Sequence, residues 1–413
     1  MSENLSELLG RKGLNENLFD ELGRRAKPSG TPENKDMEAL AEKFLIGSAN
    51  TYGTASFYDF LKPDNKGKSV YVCNGTACLC AGTQNEVVAS LKDHFADSEI
   101  GHMTCLGRCH ENSAFHYNGK NYSGSASKNL DKIIDCDSHL NKDDYRIGNN
   151  GQSILTGDFT SIDDYYKPFL EALKKDSTKV LEEIKISNLR GRGGAGFPMG
   201  LKLEFCRNEA SDTKFIICNA DEGDPGAYSD RYLLEKQPHA VLFGMLISGY
   251  VTGASHGILY IRAEYPEAVE LIQQAIDDLS EQGFTGENIK GCDFDFDFKI
   301  IQAQGSYICG EETALINSIE GQRPEVRVRP PYPAQKGLFN KPTVVNNVET
   351  LAALHFIIEN GGKAWRSIGT ENSSGTKLVC LDSFFNNPGL FEIEMGTPLK
   401  TVVYNLGGGF RSP

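Results

Sequence analysis

The sequence predicts an α/β protein of more than one unit, and three observations carry that prediction. Short apolar runs of buried-strand type, Phe215–Cys218 and Gly257–Ile261, each precede a loop and then a helix. The region 1–65 is instead polar, with short amphipathic helical stretches. Five of the 11 cysteines crowd between Cys73 and Cys109, beside a predicted strand at Ser69–Asn74. A chain of 413 residues has room for two or three domains.

In chain order, Met37–Leu45 has apolar residues at helical spacing, and a Pro/Gly/Asn patch at Lys27–Lys35 divides the lead-in. After the strand at 69–74, residues 84–95 predict a helix, and 114–118 and 131–135 supply more of a small α/β unit. Asp137–Gly151 is rich in Asn, Asp and Gly and reads as a linker. Beyond it, a helix starts at Pro266 and keeps Ala268, Val269, Ile272, Ala275, Ile276 and Leu279 on one face. Phe294–Ile301 predicts a strand and Glu311–Glu320 a helix, so βαβ units and a mostly parallel sheet follow. Arg329–Ala334 is Pro-rich extended loop, and Lys377–Asp382 and Gly389–Glu394 predict strands of a small β unit.

The net charge of −14 gives no general attraction for nucleic acid or anionic lipid. No apolar run approaches the ~20 residues of a membrane span, and the N-terminus lacks the apolar core of a signal peptide. A cytoplasmic protein is expected, free of a disulfide framework, without direct membrane insertion and without nucleic acid as a partner.

Cys73 and Cys78 are spaced C-x4-C, and Cys105 and Cys109 C-x3-C. Four thiolates on two loops can hold a [2Fe–2S] cluster. Gly75 and Gly107 give those loops backbone freedom and N–H groups near the sulfurs. Structural zinc, which prefers C-x2-C pairs, and free thiols are the alternatives. Cys80 is not expected to be a ligand, and Cys136, Cys206, Cys218, Cys292 and Cys380 stand singly.

Asn188–Pro198 packs four glycines and two arginines, Arg190 and Arg192, into a few residues, with Lys202 just beyond. Such backbone can approach a phosphate or flat ring closely, although it matches neither the usual dinucleotide fingerprint nor a nucleoside-triphosphate loop. Phe197 and Phe205 flank Lys202 and offer faces for stacking. Cys218–Gly226 starts at the end of a predicted strand, where open α/β sheets bind ligands. There Asn219 and Asp221 suit a ring edge or polyol hydroxyls, and Glu222 and Asp224 a ribose, carboxamide or water. Its spacing departs from the calcium-loop pattern. Gly305–Thr313 follows a strand and opens a helix: its carboxylates either cap that helix or, at Glu312, bond ribose hydroxyls and repel a 2′-phosphate.

These motifs, with Lys341–Thr350, resemble in fixed order the NADH-binding flavoprotein subunit of complex I and its relatives. Those relatives are the diaphorase subunits of soluble hydrogenases, NAD-linked formate dehydrogenases and electron-bifurcating hydrogenases. Leu61–Asp137 is similar to the thioredoxin-like [2Fe–2S] subunit of complex I, and Tyr52–Tyr58 to its helical lead-in. The resemblance implies a helical lead-in at 1–65, a thioredoxin-like ferredoxin domain at 66–140, a Rossmann-like FMN- and NADH-binding domain at 141–375 and the start of a β-grasp domain at 376–413.

It makes Cys73, Cys78, Cys105 and Cys109 the cluster ligands. It assigns FMN to Gly191, Arg192, Gly193, Gly194 and Lys202. To these it adds Asn219, Asp221, Tyr307, Gly310 and Glu311, then Val345, Asn346 and Asn347. NADH falls to Phe197, Lys202, Phe205 and Tyr332 and to the acidic Glu222, Asp224 and Glu312, with Glu222 and Asp224 as the catalytic residues. FMN, NAD(H) and the [2Fe–2S] cluster are the implied cofactors. The implied partners are an iron–sulfur subunit and a hydrogenase or formate dehydrogenase catalytic subunit.

Two departures stand out. Gly223–Asp224 replaces the Ser-Glu common in complex I and looks more like soluble diaphorases. The four cysteines of the family's [4Fe–4S] domain are not found, since no cysteine lies beyond Cys380, so either the chain is truncated or its electron exit lies elsewhere. The competing function is a non-catalytic iron–sulfur adaptor with a vestigial flavin domain. A thioredoxin-type thiol oxidoreductase would need C-x-x-C at a helix start, which is not found.

Overall fold

The computed structural model describes residues 13–14, 16–134 and 145–411. Cys136 and the first eight residues of the expected linker lie outside them.

Four short strands build the first sheet: β1 (Val70–Cys73), β2 (Ile100–Met103), β3 (Phe115–Tyr117) and β4 (Lys120–Tyr122). Their order is β2-β1-β3-β4, with β1 parallel to β2 and antiparallel to β3. The helix Gln84–Leu91 brings Val87 and Leu91 onto Val70, Val72, Ile100 and Phe115 as one small core. The helix Thr76–Ala81, not foreseen in the sequence, carries Cys78.

The strand β5 (Arg146–Asn150) corrects the linker expectation. Its composition is polar because most of it is exposed, and backbone pairing with β11 holds it extended.

The larger sheet is fully parallel: β6 (Phe215–Ala220), β7 (His256–Ile261), β8 (Asp297–Gln302) and β9 (Thr343–Asn347), in the order β8-β7-β6-β9. Side chains alternate across it. Ile216, Cys218, Leu259 and Ile261 face a core that includes the helix Pro238–Thr252. That helix is apolar all round and nearly every residue is buried, as a helix without a polar face must be. Phe215, Ile217, Ile258, Tyr260, Ile301 and Val345 face the other way.

The cover on that second face includes the N-terminal lead-in. The helix Leu18–Ala26, capped by the Asn17 side chain, lays Leu18, Phe19 and Leu22 on it. Phe19 sits with its ring centroid 4.9 Å from Tyr58 and 6.1 Å from Tyr260. The Tyr58 hydroxyl donates to Ser318 Oγ at 2.8 Å. A parallel sheet needs both faces covered, and here residues between Leu18 and Leu61 supply part of one cover.

The last strands, β10 (Thr376–Leu381) and β11 (Gly389–Glu394), pair antiparallel, and β11 pairs in parallel with β5. Residues on both sides of the large sheet's stretch of chain thus share a third sheet. In the Pro-rich segment, Pro333 opens a short helix, Pro333–Lys336, so the extended stretch ends earlier than expected.

Candidate functional site

In the large sheet β7 and β8 lie on one side of β6 and β9 on the other, so the strand order reverses between β6 and β9. Ligands bind outside the carboxyl ends of strands at such a switch point. A cavity of ≈ 510 Å³ sits there. Asn219 and Asp221 come from the end of β6, Asn347 from the end of β9, and Arg192, Gly193 and Gly194 from the glycine-rich loop.

That loop is closed at its base. Arg190 and Pro198 form an isolated antiparallel bridge, and the Gly191 N–H donates to Phe197 O at 2.9 Å. Gly194 and Gly196 adopt φ of +113° and +63°, conformations that side chains with a Cβ resist. The Arg192 N–H donates to Thr350 Oγ1 at 2.8 Å and its guanidinium to Ser374 O at 2.7 Å. The far wall is Tyr307, Ile308, Gly310 and Glu311.

Glu311 takes the capping role: its carboxylate accepts from the Thr313 and Ala314 N–H groups and starts the helix Glu312–Ile319. Glu312 instead lies between Lys202, at 3.1 Å, and Arg329, at 3.0 Å. Its charge is therefore matched by two cations, which weakens the expectation that Glu312 alone repels a 2′-phosphate. Lys202 also donates to Val345 O at 2.8 Å. Phe197 and Phe205, both about half exposed, stand with centroids 6.4 Å apart beside it.

The acidic loop divides its carboxylates. Asp224 is exposed and accepts from the Tyr307 hydroxyl at 2.8 Å. Glu222 turns inward and accepts from Ser229 Oγ, the N–H groups of Asp230 and Arg231, and the Tyr265 hydroxyl, at 3.0 to 3.3 Å. Burial pushes the Asp221 carboxyl up to about 7, although Arg262 at 3.9 Å pulls it down. Burial also raises the Glu222 and Asp230 carboxyls.

Asp221 Oδ2 and Asn346 Nδ2 are buried without a hydrogen-bond partner. Orphaned polar atoms of this kind call for a ligand or water. With a glycine cradle and cationic Arg192 and Lys377 on its wall, the cavity fits a phosphate-bearing flavin. Gly191, Phe197, Lys202, Phe205, Glu312, Tyr332, Val345 and Asn346 are not among the cavity-lining residues. Lys202, Glu312 and Val345 are tied together beside it, and Asn346 is buried in β9. Tyr332 is exposed and precedes the helix Pro333–Lys336. Lys377 and Asp230 line the cavity unforeseen. Asp230 accepts from Asn347 at 2.7 Å, and Lys377 pairs with Glu349.

The cysteine pairs meet on the side of the small sheet that faces the large domain. All four are buried, and the Sγ atoms of Cys105 and Cys109 lie 3.4 Å apart. Cys73 touches both Cys78 and Cys105. Hydrogen bonds from Cys109 and Cys73, joined by the Gly107 N–H, hold the Cys105 thiol below its ordinary value. Among the described residues no group of three or more His, Cys, Asp and Glu side chains forms a ready cage for a metal ion. Two pairs of converging thiols on two loops nevertheless match a two-iron cluster, which takes two thiolates per iron. Cys80 is exposed, away from this set, while Cys206 and Cys218 are core.

The two sites share one loop. The Gly226 N–H, two residues past Asp224, donates to Cys109 Sγ at 3.2 Å. No described helix is long and apolar enough to cross a membrane.

Comparison with known proteins agrees with this geometry. Residues 184–355 match the family model of the Nuo51 FMN-binding domain, and residues 21–137 that of the thioredoxin-like [2Fe-2S] ferredoxin. The chain is 48% identical over 254 residues to the NADP-reducing hydrogenase subunit HndC of Solidesulfovibrio fructosivorans, covering 60% of this chain and 52% of that one. It is 43% identical over 254 residues to an NADH-quinone oxidoreductase subunit of Aquifex aeolicus, covering 60% and 59%. The chain thus spans somewhat over half the length of these relatives. A crystal structure of an NAD+-reducing [NiFe]-hydrogenase in the H2-reduced state matches with a TM-score of 0.82 at 30% identity, covering 94% of this chain and 70% of that one. The two matched models are thus an FMN-binding domain and a [2Fe-2S] ferredoxin domain. The chain belongs to the complex I and soluble diaphorase family of FMN and iron–sulfur flavoprotein subunits, with its thioredoxin-like ferredoxin domain on the same polypeptide.

Proposed function

We propose that this chain is the NADH:acceptor oxidoreductase module of a multisubunit redox complex in the cytoplasm. The observation that carries this reading is the shared loop: Asp221 and Asp224 line the switch-point cavity, while Gly226 of the same loop holds the sulfur of Cys109. The cavity and the thiol site are thus joined through the backbone of one loop.

Bound FMN would supply the two-electron to one-electron conversion. The chain's own residues bind and orient. The N–H groups of Gly193 and Gly194 and the Lys377 ammonium would take the phosphate, while Asn219, Asp221 and Asn347 would hold the ring and its polyol. Phe197, Phe205, Lys202, Glu312 and Tyr332 would hold the dinucleotide above it. Glu222 keeps the loop in shape, since its carboxylate is fully occupied, and Asp224 with Tyr307 forms the wet wall beside the nicotinamide. Proximity rather than a protein nucleophile does the work. The partners would be an iron–sulfur subunit and a hydrogenase or formate dehydrogenase catalytic subunit.

The test is anaerobic stopped-flow mixing of the FMN-loaded protein with NADH and, separately, NADPH. Rapid loss of flavin absorbance with NADH is the expected result. Flavin that is bound but stays oxidised with both nucleotides would refute the reading and leave an iron–sulfur adaptor.

A further inference from the structure

The guanidinium of Arg262, which neither site's motifs contain, is buried between the switch-point cavity and the cysteine loop. Arg262 follows β7 and its side chain is only 3% exposed. It donates to the Glu222 carbonyl on the cavity loop. Its other terminal nitrogen donates to the Thr104 carbonyl, next to Cys105, at 2.7 Å, and to Glu264 Oε1 at 2.8 Å. One side chain thus ties the backbone of the flavin loop to the backbone of the cluster loop. Glu264 is as buried as its partner, and its Oε2 has no hydrogen bond. A buried ion pair of this kind costs desolvation on both sides and is weak evidence of a purely stabilising role.

We propose, building on the functional reading above, that Arg262 is a positioning residue that sets the reduction potential of the cluster held by Cys105 and its three partners, with Glu264 as the opposing charge. The argument is electrostatic. A four-thiolate two-iron cluster gains one negative charge when it takes one electron. A fixed cation in a dry interior favours that reduced form, and a fixed anion disfavours it. The guanidinium nitrogen that bonds the Thr104 carbonyl, one residue from Cys105, also holds the Glu264 carboxylate, so both charges sit beside the cluster loop. Pinning Thr104 and Glu222 together also keeps this cation at a constant place relative to both sites.

The experiment is a dithionite titration of the whole reconstituted chain at pH 8, following the [2Fe–2S] signal by electron paramagnetic resonance. Dithionite bypasses the flavin, so the readout does not depend on NADH oxidation. Arg262→Gln should move the midpoint to a more negative potential, and Arg262→Lys should restore part of the shift. Glu264→Gln, which keeps the shape and removes the charge, should move it the opposite way. Unchanged midpoints, or shifts of the same sign in Arg262→Gln and Glu264→Gln, overturn the proposal, because a purely structural role has no reason to give opposite signs. If Arg262→Gln does not fold, Arg262→Lys against Glu264→Gln decides by the same criterion. A wild-type chain that binds neither iron nor sulfide overturns this proposal together with the reading of the thiol site, whereas flavin that NADH fails to reduce leaves it standing.

Discussion

Asp221 shows how a single side chain can advertise a missing ligand. Its carboxyl is raised from 3.8 to about 7 by burial and has an oxygen without a partner. The folded, flavin-free protein therefore holds a proton there that the unfolded chain releases, so this group's contribution favours folding at low pH. That contribution fades as pH rises from about 4 to about 7. Three units amount to at most roughly 4 kcal/mol. Asp221→Asn should flatten this part of the pH dependence, read as urea stability of the flavin-free protein at pH 5 and pH 8; equal slopes in both proteins would contradict the assignment. Glu312 is the second informative residue. Because Lys202 and Arg329 already face it, Glu312→Gln releases Lys202 for a 2′-phosphate, while Arg329 keeps Glu311 at 3.3 Å. Its kcat/KM for NADPH relative to NADH should rise about tenfold, the worth of one charge-assisted hydrogen bond. An unchanged ratio would place the ribose elsewhere.

At the scale of elements, what the sequence could show depended on periodicity. The amphipathic helix Pro266–Glu281 and the apolar strands β6 and β7 announced themselves, and so did the site residues Asn219, Asp221 and Asn347 in motifs that abut strands. The helix Pro238–Thr252 was hidden because burial on all sides leaves no amphipathic face to read. The strand β5 was hidden for the opposite reason: its residues are polar and only pairing with β11 makes it a strand. Lys377, Asp230 and Arg262 reach their sites through the packing of distant segments, which local spacing does not encode. The buried helix also makes a sharp prediction. A Cβ on Gly244 would lie 2.1 Å from the Leu351 carbonyl oxygen. Gly244→Ala should therefore cost about 1–3 kcal/mol through overpacking, visible as a lower melting temperature with flavin affinity little changed.

For the whole molecule, the lead-in helices are part of the large domain's core rather than an appendage. Phe19→Ala should cost about 3–5 kcal/mol. It should lower one cooperative transition that includes the flavin domain, followed by calorimetry; a separate early transition, with the rest unchanged, would mean that the lead-in folds by itself. The pairing of β5 with β11 has a consequence in time. The two strands bracket the entire large parallel sheet in the chain, so closing them early would mean closing a very long loop at full entropic cost. Once the intervening domain has folded, its ends are already near each other and most of that cost is gone. The pairing of β5 with β11 is therefore expected to form after the large sheet. Until β11 has emerged, β5 waits beside the ferredoxin domain as an open edge.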